Sequence, residues 1–440
     1  VITEEKSAVP NLPVFNLSAE FSHVLDELEA GQNLFITGKA GTGKSTLLQL
    51  FRRTTDRRVA VLAPTGVAAL NIGGQTIHSF FGFPPHLFNP QELKKKKRFQ
   101  QLFAQLDTLI IDEISMVRAD LLDHIDYFLR LNLGNTRPFG GLQLVFFGDL
   151  FQLPPIVSSA AERQYFSHTY ASAYFFAARV MQHFDFQAIE LQKVYRQENR
   201  MFLRLLDAIR LNQADTDELE MLNSRHIPAF QSEKHYITLS ARNITVDTIN
   251  RRELAAIDQP ARAYVASIQG DFPASQYPAE AVLSLKQDAR VMLLRNDPAR
   301  QFVNGSLGKV VALTDDVIKV KLEEEDERQG KIVDVTRVVW EIIRYVFDQN
   351  QPDQLSTEVI GSFQQFPLRL AWAVTIHKAQ GKTFDRVSVD LGGGAFEHGQ
   401  TYVALSRCRS LEGIVLRQPL RQRDILVDEQ VVDYYQRLFR

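Results

Sequence analysis

The order of apolar runs in this chain predicts an α/β protein with two parallel-sheet domains, the second interrupted by a small β-barrel. Three observations carry that expectation. Near-continuous apolar runs at 33–37, 59–62, 108–112 and 143–147 alternate with helical patterns, as strands buried on both faces of a parallel sheet do. Runs at 236–239, 368–373 and 387–391 repeat the logic in the second part. Between the first two of these lies a β-rich stretch, with short strands at 290–294, 307–313, 317–322 and 332–340 separated by Asn-Gly, Asp-Asp and a charged 323–328 loop. A length of 440 residues with 45% hydrophobic content exceeds one core and requires at least two domains. The expected division is 1–189 for the first sheet domain with an excursion at about 79–106, 190–283 and 366–440 for the two parts of the second, and 284–365 for the inserted barrel.

The first apolar run ends in Gly38-Lys39-Ala40-Gly41-Thr42-Gly43-Lys44-Ser45-Thr46 and is followed by the helix-prone Leu47-Leu48-Gln49-Leu50. Glycines at 38, 41 and 43 let the backbone curl so that successive N–H groups and the helix N-terminus converge on phosphates. Lys44 reaches the β/γ oxygens and Ser45 is a Mg²⁺ ligand. A chance glycine-rich turn would match the pattern, but not in this strand-to-helix setting. The chain is expected to bind a nucleoside triphosphate.

The third run ends in Ile110-Ile111-Asp112-Glu113. Asp112 suits the Mg²⁺ shell and Glu113 suits polarisation of the attacking water. After the fourth run comes Gly148-Asp149-Leu150-Phe151-Gln152-Leu153-Pro154-Pro155. Gln152 there either senses the γ-phosphate or caps the turn made by the prolines. Arg196 and Arg407, both assigned to the second sheet domain, are candidates to stabilise charge on the transferring phosphoryl group, which would place the nucleotide in a cleft between domains.

Composition excludes other classes. Lys and Arg total 50 against 52 Asp and Glu, a net charge of −2, so nucleic-acid binding must come from local patches. The one cysteine, Cys408, permits neither an internal disulfide nor a multi-cysteine zinc site. No apolar run approaches membrane-spanning length, and residues 1–6 lack a signal-peptide core. These readings predict an intracellular soluble protein, cytoplasmic if bacterial and nuclear or mitochondrial if eukaryotic. With Val at position 1, the sequence need not contain the native start or a targeting signal that lay before it.

The succession of motifs resembles the superfamily-one helicases. It runs from the phosphate loop through Ala63-Pro64-Thr65-Gly66, Thr76-Ile77-His78-Ser79-Phe80, Asp112 to Met116, Gly148 to Pro155, Val194 to Gln197 and Val374-Thr375-Ile376-His377-Lys378-Ala379-Gln380-Gly381 to Tyr402 through Arg407. The helix-forming 120–126 segment leading to Arg137-Pro138-Phe139-Gly140-Gly141 is similar to a signature of the Pif (petite integration frequency) helicases, the 5′-to-3′ branch. The resemblance covers about Leu17 to Leu416. It implies two RecA-like domains, a short pin, a Src-homology-three-like barrel, Mg²⁺-ATP as cofactor, and a protein that is monomeric when free. It implies unwinding of forked or duplex DNA, with G-quadruplexes and RNA–DNA hybrids as further substrates. Gln380 and Gly381 would join the nucleotide site. Pro64, Thr65, Gly66, His78, Arg242, Asn243, His377 and Lys378 would touch single-stranded DNA through its phosphates; ordinary loop polarity, or for His78 a core position, is the alternative. One departure is Phe21, which stands where the family usually has an adenine-reading glutamine.

The excursion at Phe80-Phe81-Gly82-Phe83-Pro84-Pro85 resembles the family's separation pin, with Phe80 and Phe81 as DNA contacts. A loop folded back onto its own domain fits equally. Lys94 to Arg98 either tracks a strand or is a solvated face. Two alternatives to a helicase remain open from the residues: a single-strand translocase with little unwinding, and a P-loop phosphotransferase or nucleotide switch, which would leave the second-part motifs unexplained.

Overall fold

The structure is a computed structural model that describes residues 18–84, 86–157, 159–197, 199–228, 230, 235–299, 301–323, 330–347 and 355–439. The 1–6 stretch, Leu17, Pro85 of the pin segment and all but the first residue of the charged 323–328 loop lie outside these.

Six strands build the first sheet: β1 (Leu34–Gly38), β2 (Val59–Ala63), β3 (Gln75–Thr76), β4 (Thr108–Ile111), β5 (Gln143–Phe147) and β6 (Gln187–Leu191). All pair in parallel, in the order β3-β2-β4-β5-β1-β6. β1, β4 and β5 are buried along their whole length, which is why they read as unbroken apolar runs. The order matters for chemistry. It sets the carboxyl ends of β4, β5 and β1 side by side, so the acids at 112–113, the 148–155 turn and the phosphate loop meet at one edge although they are far apart in sequence.

Helices α1 (Ala19–Glu29), α2 (Lys44–Thr54), α3 (Gly66–Ile72), α4 (Ile77–Phe81), α5 (Lys97–Ala104) and α6 (Ala119–Leu133) belong to this part. β6 completes the sheet beside β1, so the expected boundary at 189 cuts through a strand and belongs after Leu191.

The second parallel sheet contains β7 (Ile237–Ser240), β18 (Ala373–Thr375), β19 (Val387–Asp390) and β20 (Ile414–Leu416), in the order β18-β7-β19-β20. Between β7 and β18 the described residues form ten strands: β8 (Arg262–Val265), β9 (Ser267–Gly270), β10 (Val282–Leu285), β11 (Arg290–Leu293), β12 (Leu307–Leu313), β13 (Val317–Leu322), β14 (Ile332–Thr336), β15 (Val338–Phe347), β16 (Leu355–Gln365) and β17 (Leu368–Leu370). The insertion therefore starts at Arg262, earlier than 284. The run at 368–373 divides: β17 pairs antiparallel with β11, while β18 pairs parallel with β7. Periodicity cannot separate two consecutive apolar strands that join different sheets.

A five-stranded antiparallel sheet (β14-β13-β12-β11-β17) and the β10-β8 pair enclose one core around Tyr264, Leu283, Val291, Ile318 and Phe366. β15, β16 and β9 form a separate sheet. Its long hairpin reaches the first domain, where the hydroxyl of the buried Tyr345 accepts a hydrogen bond from Val61 N (3.2 Å) and its backbone N–H donates to Gln75 Oε1 (3.3 Å). Among the described residues, no helix is long and apolar enough to cross a membrane.

Candidate nucleotide site and strand-facing loops

The phosphate loop needs its glycines for stated reasons. Gly41 and Gly43 adopt φ of 86° and 85°, a region closed to most side chains. A Cβ on Gly41 would also lie 2.6 Å from Arg196 Cβ. That close approach occurs because residues 194–196 lie across the loop, with Tyr195 N donating to Gly41 O (2.9 Å). Lys44 begins α2 and turns back to donate to Gly38 O (2.6 Å) and Lys39 O (3.0 Å), while Thr42 Oγ1 donates to Lys39 O. Burial lowers the Lys44 pKa, and Asp149 and Glu113 oppose it. Ser45 and Thr46 remain exposed in the first turn of α2. Ala40 N donates to the hydroxyl of Tyr402 (2.8 Å), a contact from the second domain that the sequence reading did not include.

Asp112 and Glu113 sit at the end of β4. Glu113 has φ 51°, a conformation that costs a non-glycine residue about 1–3 kcal/mol and concentrates at functional sites. Burial pushes the Asp112 carboxyl up to about 6. Burial, reinforced by Asp112, pushes Glu113 from the ordinary 4.5 to about 7. Gln380 arrives from the second domain and donates to both Glu113 Oε2 (3.3 Å) and Gln152 Oε1 (3.2 Å). Gln152 in turn donates to Asp149 Oδ2 (3.2 Å). Gln152 thus bonds within its own turn and is linked to Glu113 through Gln380. Gly381 follows with φ 76° and nothing within 4 Å of an added Cβ.

The two arginines converge on Ser406. Arg196 lies in the loop after β6, against the phosphate loop. Arg407 crosses from the second sheet domain, at the end of the helix Gln400–Leu405. Arg196 Nη1 donates to Ser406 O (3.0 Å). Arg407, 1% exposed, donates to Val403 O (2.9 Å) and Ser406 Oγ (2.8 Å). Burial lowers Arg196 to about 10, and burial together with Arg196 lowers Arg407 to about 9. Both guanidiniums are held by neutral oxygens, an arrangement that an added anion would stabilise.

Sequence reasoning missed Arg210. It is 1% exposed and pairs with the fully buried Asp149 at 3.3 Å and with Glu190 at 3.5 Å. Its guanidinium stacks on Phe151 (4.4 Å) and on Tyr435 of the C-terminal helix Glu429–Phe439 (5.2 Å). Burial alone would raise Asp149, but Arg210 and Lys44 hold it below the usual carboxylate range. A signal existed. The 202, 206, 210 spacing puts Arg210 on the buried stripe of the helix Arg200–Arg210, where a lone cation needs a partner.

The strand-facing candidates occupy matching places on the two sheets. β3 leads into α4 with Thr76 Oγ1 accepting from Ser79 N, and β18 leads into Ile376–Ala379 with Thr375 Oγ1 accepting from Lys378 N. The Thr-Ile-His triplets at 76–78 and 375–377 therefore set His78 and His377 equivalently. His78 is half-buried, with burial lowering its pKa; His377 Nε2 lies 3.2 Å from Glu397. Thr65 caps α3, next to Pro64. Gly66 lies beneath Gln276, whose Cγ would be 2.6 Å from an added Cβ. Arg242 and Asn243 open the helix after β7, and Lys378 is exposed beside them in the sheet order.

Phe80, Phe81 and Phe83 are a correction. They are 2%, 1% and 5% exposed and pack with Phe103 and Phe128, with Phe80 also meeting Tyr345 (5.7 Å). No ring of the three is available to stack on a base pair, so Phe80 and Phe81 are core residues and not DNA contacts. Three aromatic rings in one short turn bury too much apolar surface to remain in solvent. Phe21 is also buried, its ring edge-on to Tyr195 (6.2 Å) and against Gly43.

Residues 16–218 match the PIF1-like helicase family. An ATP-dependent DNA helicase Pif1 of Bdellovibrio bacteriovorus is 33% identical over 95% of this chain and 91% of its own length. The chain belongs to the Pif1 helicase family. A fungal member, the ATP-dependent DNA helicase PIF1 of Emericella nidulans, is also 33% identical over 98% of this chain, which spans 64% of that relative. A Pif1 from Bacteroides sp in complex with ADP-AlF4 superposes with a TM-score of 0.88 at 38% identity, covering 96% of each chain. The Bacteroides Pif1 bound to ssDNA superposes over the same share at 0.68.

Proposed function

We propose that this chain is an ATP-dependent DNA helicase that translocates 5′ to 3′ on single-stranded DNA. The observation that carries the reading is Gln380. It bridges Glu113 and Gln152 in the nucleotide cleft and follows closely after Lys378 on the strand-facing edge, so one short segment of the second domain serves both sites.

In this reading Lys44 binds the β/γ-phosphates, with the loop N–H groups of residues 40–46. Glu113 as carboxylate accepts a proton from the attacking water, Gln152 senses the γ-phosphate, and Arg196 and Arg407 stabilise charge on the phosphoryl oxygens. Ser45 and Asp112 would hold Mg²⁺. A hydroxyl and a single carboxylate fit an ion that keeps its waters and takes its other ligands from phosphates. Burial of Asp112, with Lys44 as the cation that acts on it, is what such an ion would relieve. Gln152 passes loss of the γ-phosphate to Gln380 through the hydrogen bond between them, the cleft opens, and alternating grip at residues 64–66 and 78 against 242–243 and 377–378 moves the strand.

The named Pif1 relatives and the ssDNA-bound Bacteroides structure support DNA as the partner. The 5′-to-3′ polarity, the monomeric free state and use of G-quadruplexes or RNA–DNA hybrids rest on family likeness. ATP turnover should rise severalfold or more on adding single-stranded DNA, and forks with a 5′ tail should open while those with only a 3′ tail stay closed. Turnover indifferent to DNA would refute the motor; opening of 3′-tailed forks would refute the polarity. Since Phe80 and Phe81 are buried, duplex splitting must use another surface. Single-strand translocation without fork opening would therefore favour the pure translocase.

A further inference from the structure

The excursion after α4 carries a charge pattern that the ATPase chemistry does not use. Lys94, Lys95, Lys96, Lys97 and Arg98 are all exposed. Lys39, Lys309 and Lys319 are among the lysines held in ion pairs, whereas the side chains of this run stand in solvent. Lys96 is the N-cap of α5 without a capping hydrogen bond, and the first turn has no acid. Cations there oppose the helix dipole, so local stability does not account for the run. In a chain of net charge −2, such a run of adjacent cations forms a strong local field.

The rings beneath them identify the partner. Surfaces that grip single strands combine cations with exposed aromatic faces on which bases stack. Here Phe80, Phe81, Phe83, Phe99 and Phe103 are all buried, and the Phe99 ring is overlaid by Lys96 (5.8 Å) and Arg98 (5.6 Å). The Lys94–Arg98 run therefore presents cations with no exposed ring among them, which suits phosphates. Duplex DNA fits it, because its bases are already stacked and it offers one phosphate charge per roughly 1.7 Å of axis. The excursion also leaves α4 directly after Phe81, close in sequence to the strand-facing His78. Arg344 and Glu358 of the β15–β16 hairpin are the charged groups that act on Arg98, so the hairpin borders the patch.

We propose that Lys94 to Arg98 form a cationic ledge that holds the phosphate backbone of the duplex arm at a fork, apart from the loops that hold the single strand. The proposal rests on the DNA-helicase reading above. Its test compares the full chain with a Lys94→Gln, Lys95→Gln, Lys97→Gln variant, binding a 5′-tailed fork or the tail alone across a salt series. Fork affinity should fall about tenfold or more at moderate salt. The slope of log affinity against log salt should shrink by roughly 0.9 for each phosphate that the variant no longer neutralises. Tail binding, DNA-stimulated ATPase and melting temperature should stay at parental values. Equal losses on fork and tail would assign the run to the single-strand path and overturn the proposal. Unchanged fork binding would make it a solvated face and overturn it as well. A parent protein that binds neither DNA would instead refute the helicase reading.

Discussion

At the scale of single residues, the site is built from groups whose burial sets their chemistry. Glu113 keeps its proton to about pH 7 in the folded, nucleotide-free protein, whereas the unfolded chain releases it near 4.5. The folded state thus binds more protons between these values, and stability falls as pH rises through that window. Glu113→Gln removes the buried charge, so the melting-temperature advantage of the variant over the parent should widen from about pH 5 to about pH 8. A constant difference would show that Glu113 is not the titrating group. The same variant should bind ATP yet lose turnover, while Lys44→Ala should lose ATP binding itself. Arg407→Ala should fold and bind DNA but hydrolyse ATP about 10³-fold or more slowly, the scale of an arginine finger. Parental single-turnover rates would remove Arg407 from the chemistry. The phosphate loop, the acid pair and Gln152 were proposed from type and spacing, and the strand order sets the segments that carry them side by side. Arg210 and Tyr402 were not read, because each is defined by a partner distant in sequence: Asp149 for one, Ala40 for the other.

At the scale of elements, the aromatic turn around α4 decides between two uses of one sequence. Its rings fasten α4 to α5, α6 and the β15–β16 hairpin. Phe81→Ala should therefore destabilise the protein by about 3–5 kcal/mol, read as a lower melting temperature, and should depress ATPase and unwinding together. Selective loss of unwinding at unchanged stability would restore the wedge reading. Aromatic composition alone could not separate a wedge from a core, since both require large rigid apolar rings. The separation came from what packs on them: Phe103, Phe128 and Tyr345 all lie well outside the turn in sequence.

At the scale of the whole molecule, the β-rich insertion bears on the first domain, with Tyr345 against β2 and β3 and Gln276 over Gly66 among its contacts. Gln276 thus lies over Gly66, one of the proposed strand contacts. Removing that cover with Gln276→Ala should tighten single-strand binding a few-fold, as expected when a closed state competes with the ligand. Titration of a labelled oligonucleotide measures it, and unchanged or weaker binding would mean that Gln276 does not cover the strand's path.

Local sequence was enough to specify the two parallel sheets, the phosphate loop and the order of the motifs. These depend on short-range rules: apolar runs set buried strands, and glycine spacing sets a loop that its neighbours in sequence complete. It took the packed chain to show that Phe80, Phe81 and Phe83 are core, that Arg196 lies against the phosphate loop, that the insertion begins at Arg262, and that Gln380 reaches Glu113 and Gln152 from the second domain. Each of those depends on which distant segment supplies the missing neighbour, and burial and partnership are properties of the folded molecule that no single stretch of it contains.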